Sequence, residues 1–478
     1  MLSNTNSSFY SSNESYFLYR HEKQIIGFNE SEYRLAIVSM EDYFLSTKAS
    51  ISDKIRKIVS ELDTSFVERK KAVRLSLLAM LSGEHVVLLG PPGTAKSLLA
   101  RTICEIIQDG QYFDYLLTRF TTPDEIFGPL SIKKLEQDVY ERQTGLYLPA
   151  CHIAFLDEIF KANSSILNSL LTLINERMFH NGSKLMKVPL ISIFGASNET
   201  PEDDTLAALY DRFLVRILVN YVEEDESFTK IVFENAGSVP IKTKLSIKEL
   251  DLLSKSSAKV KVSKSVQEMI IVLKRNLSEI GVVLSDRRWK QLIGFLKSMA
   301  AASNRNKVQE TDLLILQEML WDEPAQITGI RDVVWNAVVS AEHAAETLLS
   351  DVKHTKSAFE KGHLKRVKEK DRYGYDTEKT KTQKIQIDEV NYTMYSKQLR
   401  ELERATKSAR NKVSDRRKKY EQQLKGHIWI EATGLIEDVE KELTELSKVD
   451  ESLSSLRNMI EAWPKANDEA VEDADEDD

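Results

Sequence analysis

Val86-Val87-Leu88-Leu89-Gly90-Pro91-Pro92-Gly93-Thr94-Ala95-Lys96-Ser97 is the stretch that decides the fold. Four apolar residues in a row read as a short buried strand, and the Gly/Pro cluster after them forces a turn. Beyond the turn, Leu98, Leu99, Ile103, Ile106 and Ile107 recur at the three-and-four spacing of a helix. Strand, tight loop and helix in that order make a phosphate-binding loop. Successive backbone N–H groups at the helix start cradle phosphate oxygens, Lys96 reaches the β- and γ-phosphates, and the Ser97 hydroxyl ligates Mg2+. Gly90, Pro91, Pro92, Gly93, Thr94, Ala95, Lys96 and Ser97 are therefore the candidate nucleotide-binding residues, with ATP and Mg2+ as the cofactors. One position departs from the usual pattern: Ala95 stands where a glycine precedes the lysine. A bare Gly/Pro turn with an exposed lysine is the plain alternative, and the flanking strand and helix patterns disfavour it.

Three further stretches supply chemistry. Ile153-Ala-Phe-Leu156 reads as a buried strand that delivers Asp157 and Glu158 at its end. In parallel α/β sheets ligands gather at the carboxyl ends of strands. Asp157 can support Mg2+ through its water shell, and Glu158 can orient and deprotonate the attacking water. Ile191-Ser-Ile-Phe194 ends another strand, after which Asn198 can sit between the γ-phosphate and the water. By itself a Ser-Asn pair after a strand is usually just a turn. In Leu209-Tyr-Asp-Arg212-Phe213 an arginine beside apolar residues can donate charge to the γ-phosphate of a neighbouring subunit, although alone it would read as a surface ion pair.

Apolar runs at Tyr112 to Leu117, Ile153 to Leu156 and Leu190 to Phe194 alternate with helical stretches, which implies a parallel sheet covered on both faces. After about Glu224 the pattern is helical, a small all-α unit, with a break at Glu323-Pro324. The expected domains are an N-terminal extension over 1–48 with a short helix around Glu32 to Phe44, an α/β domain over 49–223, a helical lid over 224–322, a helical C-terminal region over 323–464, and an acidic, mobile tail over 465–478. Two helices joined near Asp63 precede the first strand. From Ile436 to Trp463 apolar residues keep a three-and-four rhythm, which predicts a long helix folded back on other helices of its own chain.

These stretches together resemble the MoxR family of AAA+ ATPases, and within it the RavA branch (regulatory ATPase variant A). The resemblance rests on Gly90 to Ser97, on Arg119-Phe-Thr-Thr-Pro123-Asp-Glu-Ile-Phe-Gly-Pro-Leu130, on Phe155-Leu-Asp-Glu-Ile159 with Leu170-Leu-Thr-Leu-Ile-Asn-Glu-Arg177, and on Ala196-Ser-Asn-Glu199. It covers about residues 50 to 322. It implies an α/β P-loop AAA+ domain with a five-stranded parallel sheet, an all-α lid and a C-terminal helical stalk, assembled as a hexameric ring with ATP between subunits. Arg212 would then act in trans. Ser285-Asp-Arg-Arg-Trp289 is similar to the family's second sensor, so the resemblance implies that Arg287 acts in cis, with Arg288 as the substitute. It further implies inserted hairpins at about Leu130 to Leu148 and Phe179 to Lys187, a partner with a von Willebrand factor A domain, and chaperone-like work on a client protein that the sequence does not identify. RavA itself carries a β-rich insertion that docks a lysine decarboxylase. Val352 to Lys425 shows no run of alternating strands, so that partner is not carried over.

Composition bounds the rest. The chain has 478 residues, a net charge of −8 and only two cysteines, Cys104 and Cys151, too few for a disulfide framework. No apolar run approaches a membrane span and no secretory signal pattern opens the chain, so the expected location is the cytoplasm. A nucleic-acid motor is the competing enzyme class, because Glu401 to Tyr420 carries eight basic residues against three acidic. A charge run is more often a solvated helix face, and the net charge is negative. A nucleotide-gated scaffold without hydrolysis is the third reading, disfavoured by the paired Asp157 and Glu158.

Overall fold

The computed structural model describes residues 30–201, 204–234, 240–339, 344–362, 364–370, 376–384, 389–431 and 434–475, with backbone alone within 30–47, 204–205, 361–391 and 463–475 and at 344. Residues 1–29 of the expected extension and 476–478 of the acidic tail lie outside the described residues.

Helix α1 (Glu30–Ser65) replaces the short helix expected at 32–44, and its second half buries Ile51, Ile55, Ile58, Val59 and Leu62 as one stripe. Helix α2 (Lys70–Ser82) ends at Gly83, whose left-handed φ of 73° lets its N–H close back on Ala79 and Met80. Strand β1 (Val86–Leu89) and helix α3 (Lys96–Glu105) flank the glycine-rich loop. Then come β2 (Tyr112–Leu116), the short helices α4 (Pro123–Phe127) and α5 (Ile132–Leu135), β3 (Ile153–Asp157), α6 (Ser164–Glu176), β4 (Met178–Asn181), β5 (Lys184–Lys187), β6 (Ser192–Ser197), α7 (Asp204–Tyr210) and β7 (Val215–Leu218).

The main sheet has five strands in the order β2-β3-β6-β1-β7, and every pairing is parallel. β1 and β6 are buried along their whole length, as central strands covered on both faces must be. Because all five strands point one way, Leu89, Asp157 and Ser197 end on one edge, while Glu84, His85 and Phe213, which precede strands, lie on the other. Strands of four to six residues, at about 3.3 Å each, hold these edges roughly 13–20 Å apart.

Of the two expected insertions, Met178 to Lys187 is an antiparallel hairpin. The other, at 130–148, is a short helix and loop closed by a single bridge between Leu130 and Arg142. The two are stapled together: the Asn181 side chain accepts from the Arg142 N–H at 2.6 Å and donates to its carbonyl at 3.1 Å. A Cβ at Gly182 (φ 63°) would lie 1.7 Å from the Tyr140 carbonyl oxygen, so only glycine fits that turn.

The lid contains α8 (Asp225–Phe233), α9 (Ile247–Lys259), β8 (Lys261–Val262), α10 (Lys264–Glu279), α11 (Asp286–Ala302) and β9 (Lys307–Val308). β8 and β9 form a two-residue parallel ladder inside a unit expected to be all helix. After the break, α12 (Ile327–Val339) packs on α10. Helices α13 (Ala344–Gly362), α14 (Glu389–Leu424) and α15 (Leu435–Asp475) then pack pairwise as a three-helix stalk. α15 buries Val439, Leu446, Val449, Leu453, Leu456 and Ile460 against this bundle, on the stripe read from the sequence. Its helical backbone continues through most of the segment expected to be a mobile tail.

Between α13 and α14 lies a correction. β10 (Leu364–Lys370) and β11 (Asp376–Lys384) pair antiparallel where no strands were expected. Their sequences, LKRVKEK and DTEKTKTQK, hold one valine and one leucine, so no apolar alternation marks them.

Lid and α/β domain are joined by a buried charge cluster. The guanidinium groups of Arg216 in β7 and Arg288 in α11 are almost fully enclosed, and both donate to the Asp322 carboxylate. Burial alone would raise the Asp322 carboxyl, but Arg288 and Arg216 hold it below the usual range. Asp322→Ala leaves two enclosed cations with backbone carbonyls but without their shared carboxylate. It should cost roughly 2–3 kcal/mol in urea unfolding, between an exposed pair and a fully buried one. In the parent chain this contribution, present at neutral pH, should fade as pH falls through the lowered carboxyl value, and the variant should lack that acid dependence.

Candidate nucleotide site

Gly90 closes β1 onto β6, its N–H donating to the Ser197 carbonyl at 3.0 Å. Its φ is 147°, and a Cβ there would lie 2.2 Å from the Val219 carbonyl oxygen, so the loop can turn this close to the sheet only with glycine. Gly93, at φ 78°, has open space around its Cβ position. Ala95 begins α3 in the left-handed region at φ 64°, which explains why a glycine is usual there: an L-residue pays about 1–2 kcal/mol for it. The Lys96 ammonium folds over the loop and donates to the carbonyls of Gly90 (2.7 Å) and Pro91 (2.8 Å). Burial pushes its pKa down, while the nearby Asp157 and Glu158 carboxylates pull it back up. Ser97 is exposed at the mouth of the loop.

Glu158 leaves the end of β3 in a left-handed conformation, φ 53°, and its N–H donates to the Asp157 carboxylate at 3.0 Å. Its own carboxylate is met by Asn198 Nδ2 at 3.4 Å and by Lys161 Nζ at 3.3 Å. The structure thus gathers Gly90 to Ser97, Asp157, Glu158 and Asn198 on the carboxyl edge of the sheet. The donor set fits a magnesium nucleotide: the backbone N–H groups from Gly93 to Ser97, one partly buried ammonium, a hydroxyl and two carboxylates. Lys161 is an addition that sequence reading missed; its only signal is its place one turn after Glu158.

Arg212 and Arg287 are not part of this cluster. Arg212 precedes β7, on the opposite edge, half-buried and paired with Asp211 at 2.9 Å. Burial lowers its pKa, and Arg287 nearby lowers it further. Arg287 donates to Asn175 Oδ1 at 2.6 Å, at the end of α6, where Arg177 donates to the Gly83 carbonyl just before β1. The two arginines therefore lie together on the amino edge, away from their own chain's phosphate loop, and the expected action of Arg287 in cis does not match its placement. Its neighbour Arg288 is committed to Asp322 and the carbonyls of Met319 and Trp321.

Comparisons with known proteins agree with this architecture. Residues 53–252 match the family described as the MoxR domain in the MoxR-vWA-beta-propeller ternary systems, and residues 265–334 match an AAA lid domain. An uncharacterized protein of Methanocaldococcus jannaschii is 43% identical over 63% of this chain and 78% of its own length. The chain belongs to the MoxR family of AAA+ ATPases. This MoxR-family chain is also 26% identical to the Chaperone MoxR1 of Mycobacterium tuberculosis, over 42% of this chain and 52% of that protein. A crystal structure of a protein from Cytophaga hutchinsonii regarded as an ATPase shares the fold, with a TM-score of 0.51 at 18% identity, covering 64% of this chain and 98% of that one. Nucleotide binding follows from the AAA+ family. Among the described residues no helix is long and apolar enough to cross a membrane.

Ala95→Gly should relieve the left-handed strain at the loop of this MoxR-family protein. Less the entropy cost of a glycine, the gain should be about 0.5–1 kcal/mol in denaturant unfolding, with binding of a fluorescent ATP analogue retained.

Proposed function

We propose that this chain hydrolyses ATP with Mg2+ as a hexameric ring and uses the turnover to remodel or mature other protein complexes, together with a partner carrying a von Willebrand factor A domain. The observation that carries this reading is the division of the site between two edges of one parallel sheet. On the carboxyl edge, Gly90 to Ser97 bind the phosphates, Ser97 and Asp157 hold the metal, Glu158 deprotonates the attacking water and Asn198 positions it. Bound Mg2+ would neutralise charge on the phosphate oxygens. On the amino edge lie Arg287, exposed, and Arg212, half-buried beside Asp211, and in a ring both serve the nucleotide of the neighbour. Charge donated in this way is worth several orders of magnitude in the related arginine-finger enzymes. The partner is inferred from the description of the matched MoxR domain, and the chaperone role from the name of the mycobacterial relative.

The nucleic-acid motor is less well supported by the stalk. Half of its basic run on α14 is paired with carboxylates of the same chain: Arg410 with Asp450, Arg416 with Glu442, Arg417 with Glu421 and Glu440, and Lys419 with Glu310.

Two variants, alone and mixed, test the site. Glu158→Gln should bind ATP as tightly as the parent while losing at least about a hundredfold in steady-state turnover; normal hydrolysis would remove Glu158 as the base. Arg212→Ala should bind ATP and hydrolyse slowly. Rings mixed from Arg212→Ala and Glu158→Gln subunits should recover turnover, since some interfaces then pair an intact Glu158 with an intact Arg212. Absence of recovery would argue against action between subunits.

A further inference from the structure

Helix α11 reaches the amino edge of the sheet with two donors four residues apart, and so on one face. Arg287 donates to Asn175 Oδ1 at 2.6 Å, and Gln291 Nε2 donates to Glu84 Oε2 at 3.1 Å. Both acceptors belong to the α/β domain: Asn175 to the last turn of α6 and Glu84 to the residues before β1. Glu84 is itself fixed. Its N–H donates to the Ala79 carbonyl at 2.9 Å, and its carbonyl accepts from the Ser192 hydroxyl at 2.7 Å. None of these four side chains belongs to the nucleotide cluster on the opposite edge.

We propose that Glu84 is a positioning residue: by holding Gln291 one turn beyond Arg287 it docks the lid helix on the amino edge, so that Arg287 is presented beside Arg212 to a neighbouring subunit's ATP. This rests on the reading that the two arginines act between subunits. Removing the Glu84 side chain leaves the arginine in place chemically but removes one of the ties that hold its helix, beside those at Asn175 and Asp322. The loss should therefore appear in kcat and not in ATP affinity, because the chain's own phosphate loop is at the other edge.

The charge around Glu84 adds a second signature. Burial raises its carboxyl to about 7, against the lowering effect of Arg177, the Gln291 hydrogen bond and Arg287. His85 beside it is enclosed and stays neutral, its pKa lowered by burial and by Arg177. Burial lowers Arg177 to about 10, against the raising effect of Glu84, so it stays charged across the neutral range. An ionised carboxylate is the stronger acceptor, so docking should weaken as pH falls below about 7.

Three variants of the full chain test this: Glu84→Ala, Glu84→Gln, and Glu84→Ala combined with Arg287→Ala. Glu84→Ala should lower kcat about tenfold with unchanged equilibrium binding of an ATP analogue, and should speed hydrogen exchange in α11 without a matching fall in the thermal midpoint. Glu84→Gln, which still accepts from Gln291, should recover most of the rate and flatten the decline of kcat between pH 7 and 6. The double variant should be no slower than Arg287→Ala alone. Unchanged exchange in α11, or losses that multiply in the double variant, would overturn the role of Glu84. If Glu158→Gln abolishes turnover while either result is found, the nucleotide site stands and only the docking role falls. Normal hydrolysis by both Glu158→Gln and Arg287→Ala would instead strike the site reading itself.

Discussion

A parallel sheet has a direction, and its two edges are chemically different. Strands β1, β3 and β6 end where loops can expose backbone N–H groups and carboxylates to a ligand, and there Gly90 to Ser97, Asp157, Glu158 and Asn198 converge. The residues that precede strands lie a full strand length away, roughly 13–20 Å. Arg212 is bound to that second edge by its place in the chain, three residues before β7. No loop rearrangement short of unpairing β7 from β1 would bring it to its own phosphates. Directionality thus separates the phosphate-loop residues from Arg212 and Arg287 within one chain, and in the proposed ring the two sets would meet between subunits.

The lid strengthens the separation. Asp322 draws Arg216 of β7 and Arg288 of α11 onto one carboxylate, while Glu84 and Asn175 hold another face of the same helix. Arg287 and Arg288 are adjacent in sequence, so on a helix they point about 100° apart. One is consumed in joining the domains, and the other is left facing outward. The same turn of helix therefore provides both the joint and the second arginine of the amino edge.

Much of this was legible in the sequence. The β1-loop-α3 unit, the carboxylates after β3 and the polar end of β6 all follow from apolar runs that stop at chemically distinct residues. The apolar stripes of α1 and α15 follow from helical spacing. What was not legible depended on tertiary placement. Nothing local distinguishes Arg287 from Arg288, because only the docking of α11 decides which one is enclosed. Glu84 and Asn175 look like ordinary polar residues at element ends. The β10-β11 ribbon escaped because its residues are mostly lysine, threonine and glutamate, and strand reading relies on one face being apolar. The long α1 reads as two separate helices, at 32–44 and from residue 51, because Ser46, Thr47, Lys48 and Ser50 interrupt the apolar pattern between them.

Two residues of the site, Ala95 and Glu158, sit in the left-handed region at φ 64° and 53°, where an L-residue pays about 1–2 kcal/mol. Their positions give the strain a physical reason. At Ala95 the chain must reverse out of the loop and enter α3 within one residue, so that the first free N–H groups of the helix face the loop interior. At Glu158 the chain must leave β3 abruptly, so that this carboxylate turns toward Asn198 and Lys161 instead of continuing along the strand. Local hydrogen bonds hold both turns: Lys96 to the Gly90 and Pro91 carbonyls at one, and Asp157 to the Glu158 N–H at the other. Strain that is over-determined in this way is characteristic of groups whose position matters more than their own stability. It occurs here at the two ends of the space where the phosphates would lie.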